Sequence, residues 1–158
     1  MGDIFLDMEE EGVCYGLEGL KILIYGGDTL GKTPQAMRFP KPVLFMAESG
    51  GSALKGMKMP IMSKKDFTKA VADLTDPKTL DAVKEKVKTI VIDTVEDVVE
   101  LFKAAVCAKY GVEDVGQVQQ AEKGNPNGYN LYRTQFKKQI NLLTNNIVTG
   151  KQIGRAHV

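Results

Sequence analysis

The chain has 158 residues, about the length of one domain. Its 43% hydrophobic and 26% charged residues are typical of a globular protein and exclude a disordered, collagen-like or low-complexity chain. The 21 basic and 20 acidic side chains nearly cancel, which excludes a strongly basic nucleic-acid arm, and the longest apolar runs are too short to cross a bilayer.

Residues 1–20 follow no regular pattern and are predicted to be an irregular N-terminal segment. Their start, MGDIFLDMEEEG, is acidic where a secretion signal would be basic, so we expect no signal peptide and a cytoplasmic protein. The first predicted strand is Lys21–Tyr25, whose apolar middle is typical of a strand covered on both faces. A glycine-rich turn and a short helix near Thr33–Arg38 follow it.

The middle of the chain alternates between strand and helix patterns. The second predicted strand is Val43–Ala47, followed by a glycine-containing loop. A capping box at Ser63 begins a helix that runs to about Leu74, and Asp76-Pro77 begins another. The third predicted strand is Thr89–Ile92.

Two longer helices complete the pattern. A second capping box at Thr94 opens a helix through Tyr110, which Gly111 ends. After a polar loop over residues 112–128, a helix is predicted over Tyr129–Thr144, with an apolar stripe that we interpret as core rather than as a base-stacking platform. This alternation predicts an α/β fold with a parallel sheet between helices on both faces.

The last residues, Ile153–Val158, read IGRAHV and fit neither a helix nor a strand pattern. The codons ATC GGA AGA GCA CAC GTC would encode them and match a common sequencing-library adapter. We therefore expect residues 151–158 to be an adapter-derived tail on a truncated gene, with an ordinary polar C-terminus as the alternative. His157 is the sole histidine of the chain and lies in this tail, so we expect no histidine-based mechanism.

Residues 26–33, GGDTLGKT, fit the phosphate-loop (Walker A) pattern G-x-x-x-x-G-K-[ST] at every fixed position, between a predicted strand and a predicted helix. The glycines allow backbone angles that turn N–H groups toward a phosphate. Lys32 would reach the β- and γ-phosphates, and the Thr33 hydroxyl would hold Mg²⁺. The predicted nucleotide-binding residues are Gly26, Gly27, Asp28, Thr29, Leu30, Gly31, Lys32 and Thr33.

Two acidic residues lie at the ends of predicted strands, where α/β sheets bind ligands. Asp93 ends TIVID in the manner of a Walker B aspartate, and we predict that it holds Mg²⁺ with Thr33; a helix cap is the alternative. Glu48 follows VLFMA and is predicted to orient the attacking water, which makes Lys32 and Glu48 the catalytic residues; a solvent-exposed loop acid is the alternative. Glu96 and Asp97 are the other acidic candidates for the role of Glu48, but their position in the first turn of a helix, where acids are favoured, explains them.

The motifs GGDTLGKT, VLFMAES and TIVIDT, in this order, resemble the RecA-like branch of P-loop ATPases. In that branch the catalytic glutamate stands where Ala47-Glu48 stands here, and the magnesium aspartate precedes Ser or Thr, as in Asp93-Thr94. The acidic Asp28 also fits this branch. The chain is most similar to compact phage ATPases of the AAA family, including single-strand-annealing recombination proteins, which share FPKP at residues 39–42 and a Gly-Tyr at Gly128-Tyr129.

The resemblance covers about residues 20–146 and implies a partial RecA-like core over residues 21–150. It implies an ATPase that uses ATP and Mg²⁺, acts with single-stranded DNA in phage recombination or replication, and forms a homo-oligomer in the cytoplasm of a bacterial host. It also implies a further strand after the last helix, between the phosphate-loop strand and the Asp93 strand. Here only residues 147–149 could begin that strand, so we expect an incomplete sheet and a poorly active ATPase from an active parent.

A different class of function stays open. The chain could be a nucleotide-binding module that does not hydrolyse ATP and has a structural or regulatory role. A small-molecule kinase or a GTPase is less favoured, because we find no N-K-x-D motif and no Arg-rich lid. The loop over residues 112–128 is the candidate for DNA contact, but its three acids outnumber its one base, Lys123, and we assign no DNA-contacting residue.

Overall fold

A computed structural model describes residues 20–27, 30–48, 55–118 and 127–147. Three strands and five α-helices lie in these ranges, together with one 3-10 turn. They are α1 (Lys32–Ala36), β1 (Pro42–Met46), β2 (Met57–Pro60), α2 (Lys64–Thr75), α3 (Leu80–Lys86), β3 (Thr89–Asp93), α4 (Val95–Tyr110), the 3-10 turn (Val115–Gln117) and α5 (Gly128–Asn146). None of the helices in the described ranges is long and apolar enough to cross a membrane.

The sheet has the strand order β2-β1-β3, and both pairings are parallel. Side chains alternate between the two faces of a strand, so Val43 and Phe45 of β1 share one face and Leu44 takes the other. All three are buried, which means that both faces of the central strand are covered. The predicted α/β class, a parallel sheet flanked by helices, is confirmed.

Four phenylalanines join the sheet to the helices. The ring of Phe45 in β1 meets Phe67 of α2 edge-on, with ring centroids 5.5 Å apart. Phe102 of α4 lies 5.7 Å from Phe67 and 5.5 Å from Phe136 of α5, in T-shaped geometry both times. Edge-to-face contacts of this kind stabilise a core beyond the area they bury. The predicted core role of the α5 stripe is confirmed by this packing, although Tyr129 at its start is 43% exposed.

The helix ends confirm most of the predicted caps. Ser63 Oγ accepts a hydrogen bond from the Asp66 N–H at 3.2 Å, and Thr94 Oγ1 accepts one from the Asp97 N–H at 3.1 Å. Gly111 ends α4 in the left-handed conformation, with φ 65°. Each of these signals lies within one helical turn, which explains why the local sequence predicts them.

Helix α3 begins later than predicted. It starts at Leu80, and the residues from Asp76 onward form turns instead. The Asp76 side chain accepts a hydrogen bond from the Lys78 N–H at 2.9 Å, and the Asp76 carbonyl accepts one from the Thr79 N–H at 3.0 Å. An Asp side chain that bonds its own local backbone competes with helix formation, and here the turn prevails.

The predicted strand over Lys21–Tyr25 is wrong. Residues 20–26 have no regular secondary structure, and Leu23 and Tyr25 are 76% and 86% exposed. A strand requires a hydrogen-bonded neighbour, and none of the described strands pairs with this segment. The neighbour that the resemblance implies would follow α5, where residues 148–158 lie outside the described part of the chain.

Strand β2 falls in a region predicted to be a loop. Its four residues, Met57–Pro60, pair with β1 in parallel. The sequence MKMP is too short for a clear alternation, and its final proline is typical of an edge strand, so no local signal marks it. The predicted irregular segment at residues 1–20, apart from Leu20, and the predicted tail at residues 151–158 lie outside the described residues.

Gly128, the first residue of α5, is packed against the backbone of Val115 in the 3-10 turn. A Cβ added to Gly128 would lie 2.1 Å from the Val115 carbonyl oxygen and 3.0 Å from Val118 Cβ. Backbone in a packed turn cannot move aside easily, so we expect Gly128→Ala to lower the free energy of unfolding by about 1–3 kcal/mol. Urea unfolding followed by circular dichroism measures this loss. Gly116→Ala is the control, because the atoms nearest to its Cβ would be side-chain atoms of Asp114 and Tyr129. An equal loss in both variants would contradict the prediction.

Candidate nucleotide-binding site

The described residues of the phosphate loop are Gly26, Gly27 and Leu30 to Thr33, whereas Asp28 and Thr29 lie outside the described residues. Gly26 and Gly31 have φ values of 154° and 72°, a region that a side chain disfavours. A Cβ on Gly26 would also lie 3.0 Å from the Leu30 Cδ1 atom. The backbone therefore requires glycine at both positions that the phosphate-loop pattern fixes as glycine.

The Lys32 side chain folds back over the start of this loop. Its Nζ atom donates hydrogen bonds to the carbonyl oxygens of Gly26 and Gly27, each at 2.8 Å. A lysine ammonium has three N–H donors, so one remains for a further acceptor. The contacts place a positive charge against the loop that is predicted to bind phosphate.

Thr33 and Asp93 meet although they lie 60 residues apart in sequence. Thr33 is in the first turn of α1, and Asp93 is the last residue of β3. The Thr33 hydroxyl donates a hydrogen bond to Asp93 Oδ2 at 2.6 Å. A bond to an ionised acceptor is shorter and stronger than a neutral one, so this contact fixes the phosphate loop against the end of the sheet.

Glu48 lies at the same edge of the sheet. Met46 at the end of β1 is in register with Asp93, and the Ala47 and Glu48 N–H groups point to the Asp93 carbonyl oxygen at 2.8 and 3.4 Å. The Glu48 side chain is exposed, and it makes no hydrogen bond or ion pair with any other described residue. The backbone therefore brings Glu48 beside Asp93, while its carboxylate faces solvent.

The two acidic rivals of Glu48 have separate explanations. Asp97 Oδ2 accepts a hydrogen bond from Thr94 Oγ1 at 2.5 Å, and the Asp97 N–H donates back to the same hydroxyl. Asp97 is thus part of the α4 cap, as predicted. Glu96 is exposed in the first turn of α4, where a negative charge is favourable at the helix N-terminus.

Comparison with known proteins decides the family. The model of the AAA domain family matches residues 18–151, a range that contains the phosphate loop, Glu48 and Asp93. The chain belongs to the AAA domain family. An AAA domain indicates nucleotide binding and ATPase chemistry, which agrees with the phosphate-loop pattern of residues 26–33.

This AAA-domain chain is also similar to a curated protein of Bacillus subtilis (strain 168), the SPbeta prophage-derived uncharacterized protein YorG. The two are 37% identical over 135 residues, which cover 83% of this chain and 39% of the relative. The chain therefore spans about two fifths of the length of the curated relative it matches. No solved structure matches the chain.

The donor set of this AAA-domain chain fits a magnesium ion. Mg²⁺ prefers oxygen ligands, and it usually takes one or two from the protein and the rest from water and phosphates. The Thr33 hydroxyl and the Asp93 carboxylate are such oxygens, and they lie within 2.6 Å of each other at the phosphate loop. In the ranges that the structure describes, no group of three or more His, Cys, Asp or Glu residues could hold a metal ion by itself.

Some contacts of this AAA domain could not be found from residue types. The Ala47 and Glu48 N–H groups reach the Asp93 carbonyl, and the Gly26 and Gly27 carbonyls hold Lys32. All of these partners are backbone atoms that any residue supplies. The motif predicts which side chains matter, but the backbone contacts that position them come only from the folded chain.

Proposed function

We propose that this protein is a RecA-like member of the AAA family that binds ATP with Mg²⁺ and hydrolyses it. The observation that carries the proposal is the 2.6 Å hydrogen bond between Thr33 Oγ1 and Asp93 Oδ2. It joins a complete phosphate-loop pattern to a carboxylate at the carboxyl end of a parallel strand, where α/β sheets bind ligands.

The binding step uses the charge and the donors of the phosphate loop. Its N–H groups face the phosphates, and Lys32 adds its positive charge and its remaining N–H to the β- and γ-phosphate oxygens. Thr33 and Asp93, whose side-chain oxygens lie 2.6 Å apart, would hold a magnesium ion. When bound, Mg²⁺ supplies a positive charge that neutralises the phosphate oxygens during hydrolysis.

Glu48 is proposed to act on the attacking water. Its position after β1, beside the Asp93 carbonyl, puts a carboxylate at the edge of the sheet that carries the phosphate loop. A carboxylate there can accept a hydrogen bond from water and align the oxygen toward the γ-phosphate. The exposed Glu48 side chain is free to turn toward a bound nucleotide.

Action on single-stranded DNA and assembly into a homo-oligomer are further parts of the proposal, and they rest on the resemblance to phage recombination ATPases. The described part of the loop over residues 112–128 includes Glu113 and Asp114 but no basic residue. We therefore assign no residue to DNA contact.

A second candidate function is that of a nucleotide-binding module that binds ATP but does not hydrolyse it. The feature that favours it is the Glu48 carboxylate, which makes no hydrogen bond within the described residues. An acid whose side chain has no partner among the described residues is also typical of an ordinary loop residue. In that case the phosphate loop would bind ATP to set the protein's assembly or its contact with a partner.

Replacing Glu48 with glutamine separates the two functions. If Glu48 aligns the water, Glu48→Gln should keep ATP binding and lower the rate of hydrolysis by about 100-fold or more, because general-base catalysis contributes this much. Turnover by this chain should be slow, since Lys21–Tyr25 before the loop is not held in the described sheet. The measurement is therefore a single-turnover assay with radiolabelled ATP and protein in excess, together with the Kd for ATP.

Glu96→Gln is the matched control, because it removes the same charge from the exposed start of α4. Wild-type protein that binds ATP but hydrolyses it no faster than buffer would support the module instead. Equal hydrolysis by wild type and Glu48→Gln would show that Glu48 is not the catalytic acid. Adding single-stranded DNA to the same assay tests the DNA part, for which we expect faster hydrolysis.

A further inference from the structure

A groove separate from the phosphate loop runs between the outer surfaces of α2 and α4. It has a volume of about 720 Å³, and neither Glu48, Asp93 nor any described residue of the phosphate loop lines it. Its lining combines an apolar floor of three alanines and a leucine with three lysines of α2 at the rim, beside Met62, Ser63 and Thr68. The floor residues are Ala72, Leu101, Ala104 and Ala105, and the rim lysines are Lys64, Lys65 and Lys69.

The charge of this groove is positive. Among the described residues no acid lines it, and none of the three lysines forms an ion pair. Lys64 is held in place, since its ammonium hydrogen bonds to Gln135 Oε1 and lies 5.7 Å from the centre of the Phe102 ring. Lys65 and Lys69 are exposed. The groove therefore combines one positive charge held by contacts with two exposed ones above an apolar floor.

The chemistry of the groove favours a peptide over a nucleic acid. Single-stranded nucleic acids are typically bound by aromatic side chains that stack on the bases, and no aromatic residue or arginine of the described ranges lines this groove. Small apolar residues flanked by lysines fit instead a segment with apolar side chains and carboxylates. Apolar contacts would cover the floor, and the carboxylates would reach the rim.

We propose that residues 3–11 of this chain, DIFLDMEEE, dock in the groove between α2 and α4. This segment has five acidic residues, four large apolar residues and no basic residue, so its charge and its apolar content both complement the groove. It is part of the same chain, so its binding would be intramolecular and would need less affinity than binding between separate molecules. The acidic start of the chain thus binds the lysine-rich surface of its own domain.

Zero-length cross-linking of the full chain tests the proposal. A carbodiimide joins lysine amines to carboxylates that touch them, and mass spectrometry locates the links. We expect the carboxylates of residues 3–11 to link to the groove lysines at least about threefold more often than to Lys78 and Lys86, which are exposed outside the groove. A mixture of isotopically labelled and unlabelled protein should show that the links form within one chain.

Charge reversal supplies the second measurement. Lys65→Glu combined with Lys69→Glu should speed amide hydrogen exchange in residues 3–11 by about threefold or more, because the docked segment is released. Lys78→Glu with Lys86→Glu is the matched control and should leave exchange unchanged. Adding Glu9→Lys and Glu10→Lys to the groove variant should restore slow exchange, which a merely unfolded variant could not do.

Several results would overturn the proposal. Cross-links spread evenly over all exposed lysines would mean that residues 3–11 do not dock in the groove. The same conclusion would follow if charge reversal in the groove left amide hydrogen exchange of residues 3–11 unchanged. Links that form only between labelled and unlabelled chains would assign the groove to a second copy. Protection of the groove lysines by a single-stranded oligonucleotide, with no link to residues 3–11, would assign it to nucleic acid.

Discussion

Lys32→Ala is expected to weaken ATP binding by about 10- to 100-fold without unfolding the protein. Lys32 lies against the phosphate loop, where its Nζ atom bonds the Gly26 and Gly27 carbonyls. Hydrogen bonds to charged groups contribute about 1.5–3 kcal/mol each, and 1.4 kcal/mol corresponds to a factor of ten in Kd. Removing the ammonium loses its bond to the phosphates and also releases the two loop carbonyls. Titration with a fluorescent ATP analogue in the presence of Mg²⁺ measures the effect.

Lys21→Ala is the matched control, because it removes the same charge from an exposed position shortly before the loop. Its Kd for ATP should stay close to that of the wild type. Urea unfolding of Lys32→Ala should differ from that of the wild type by no more than about 0.5 kcal/mol, as is usual for a surface substitution. If Lys32→Ala bound ATP as tightly as the wild type, the nucleotide-binding role of this loop would be refuted.

Phe102→Ala is expected to lower the free energy of unfolding by about 3–5 kcal/mol. Phe102 is fully buried, and its ring contacts Phe67 and Phe136 edge-on, so its removal opens a cavity where α2, α4 and α5 meet. A domain of this size is stable by about 5–15 kcal/mol, so the variant would keep only a small part of its stability. Denaturant unfolding monitored by circular dichroism gives the value.

Two control variants show whether the loss of a buried ring causes the lower stability of Phe102→Ala. Phe102→Leu retains most of the side-chain volume and should cost much less than Phe102→Ala. Tyr110→Ala removes an aromatic ring that is 43% exposed at the end of α4, and it should change stability only slightly. A loss below about 1 kcal/mol in Phe102→Ala would contradict the packing described for the three helices.

The parts of the fold that the sequence predicts correctly are those whose cause is local. The Ser63 and Thr94 caps and the Gly111 helix end each depend on residues within one turn. The apolar run of β1 likewise matches its burial on both faces. For the candidate site, the phosphate-loop pattern predicts Lys32 and Thr33, and the residue order predicts Asp93. The structure brings Thr33 and Asp93 together, and the binding roles of the three residues stay predictions.

The errors concern pairings between distant segments. Lys21–Tyr25 has the composition of a buried strand, but no described strand pairs with it. Strand β2 has no strand signal of its own, yet it pairs with β1. Strand pairing depends on which segments meet in space, and composition cannot reveal this. The predicted start of helix α3 is wrong for a different reason, because the turn at Asp76 competes locally with the helix.

The exposed run before the phosphate loop also affects how the protein behaves in concentrated solution. Leu20, Ile22, Leu23 and Tyr25 are each at least half exposed, and β3 stands at the edge of the described sheet. Within the described residues the segment has no strand partner and no strand covers the outer edge of β3, so one molecule can offer the segment and another the edge. Aggregation thus competes with correct folding through these few residues, and a near-zero net charge gives little repulsion to oppose it.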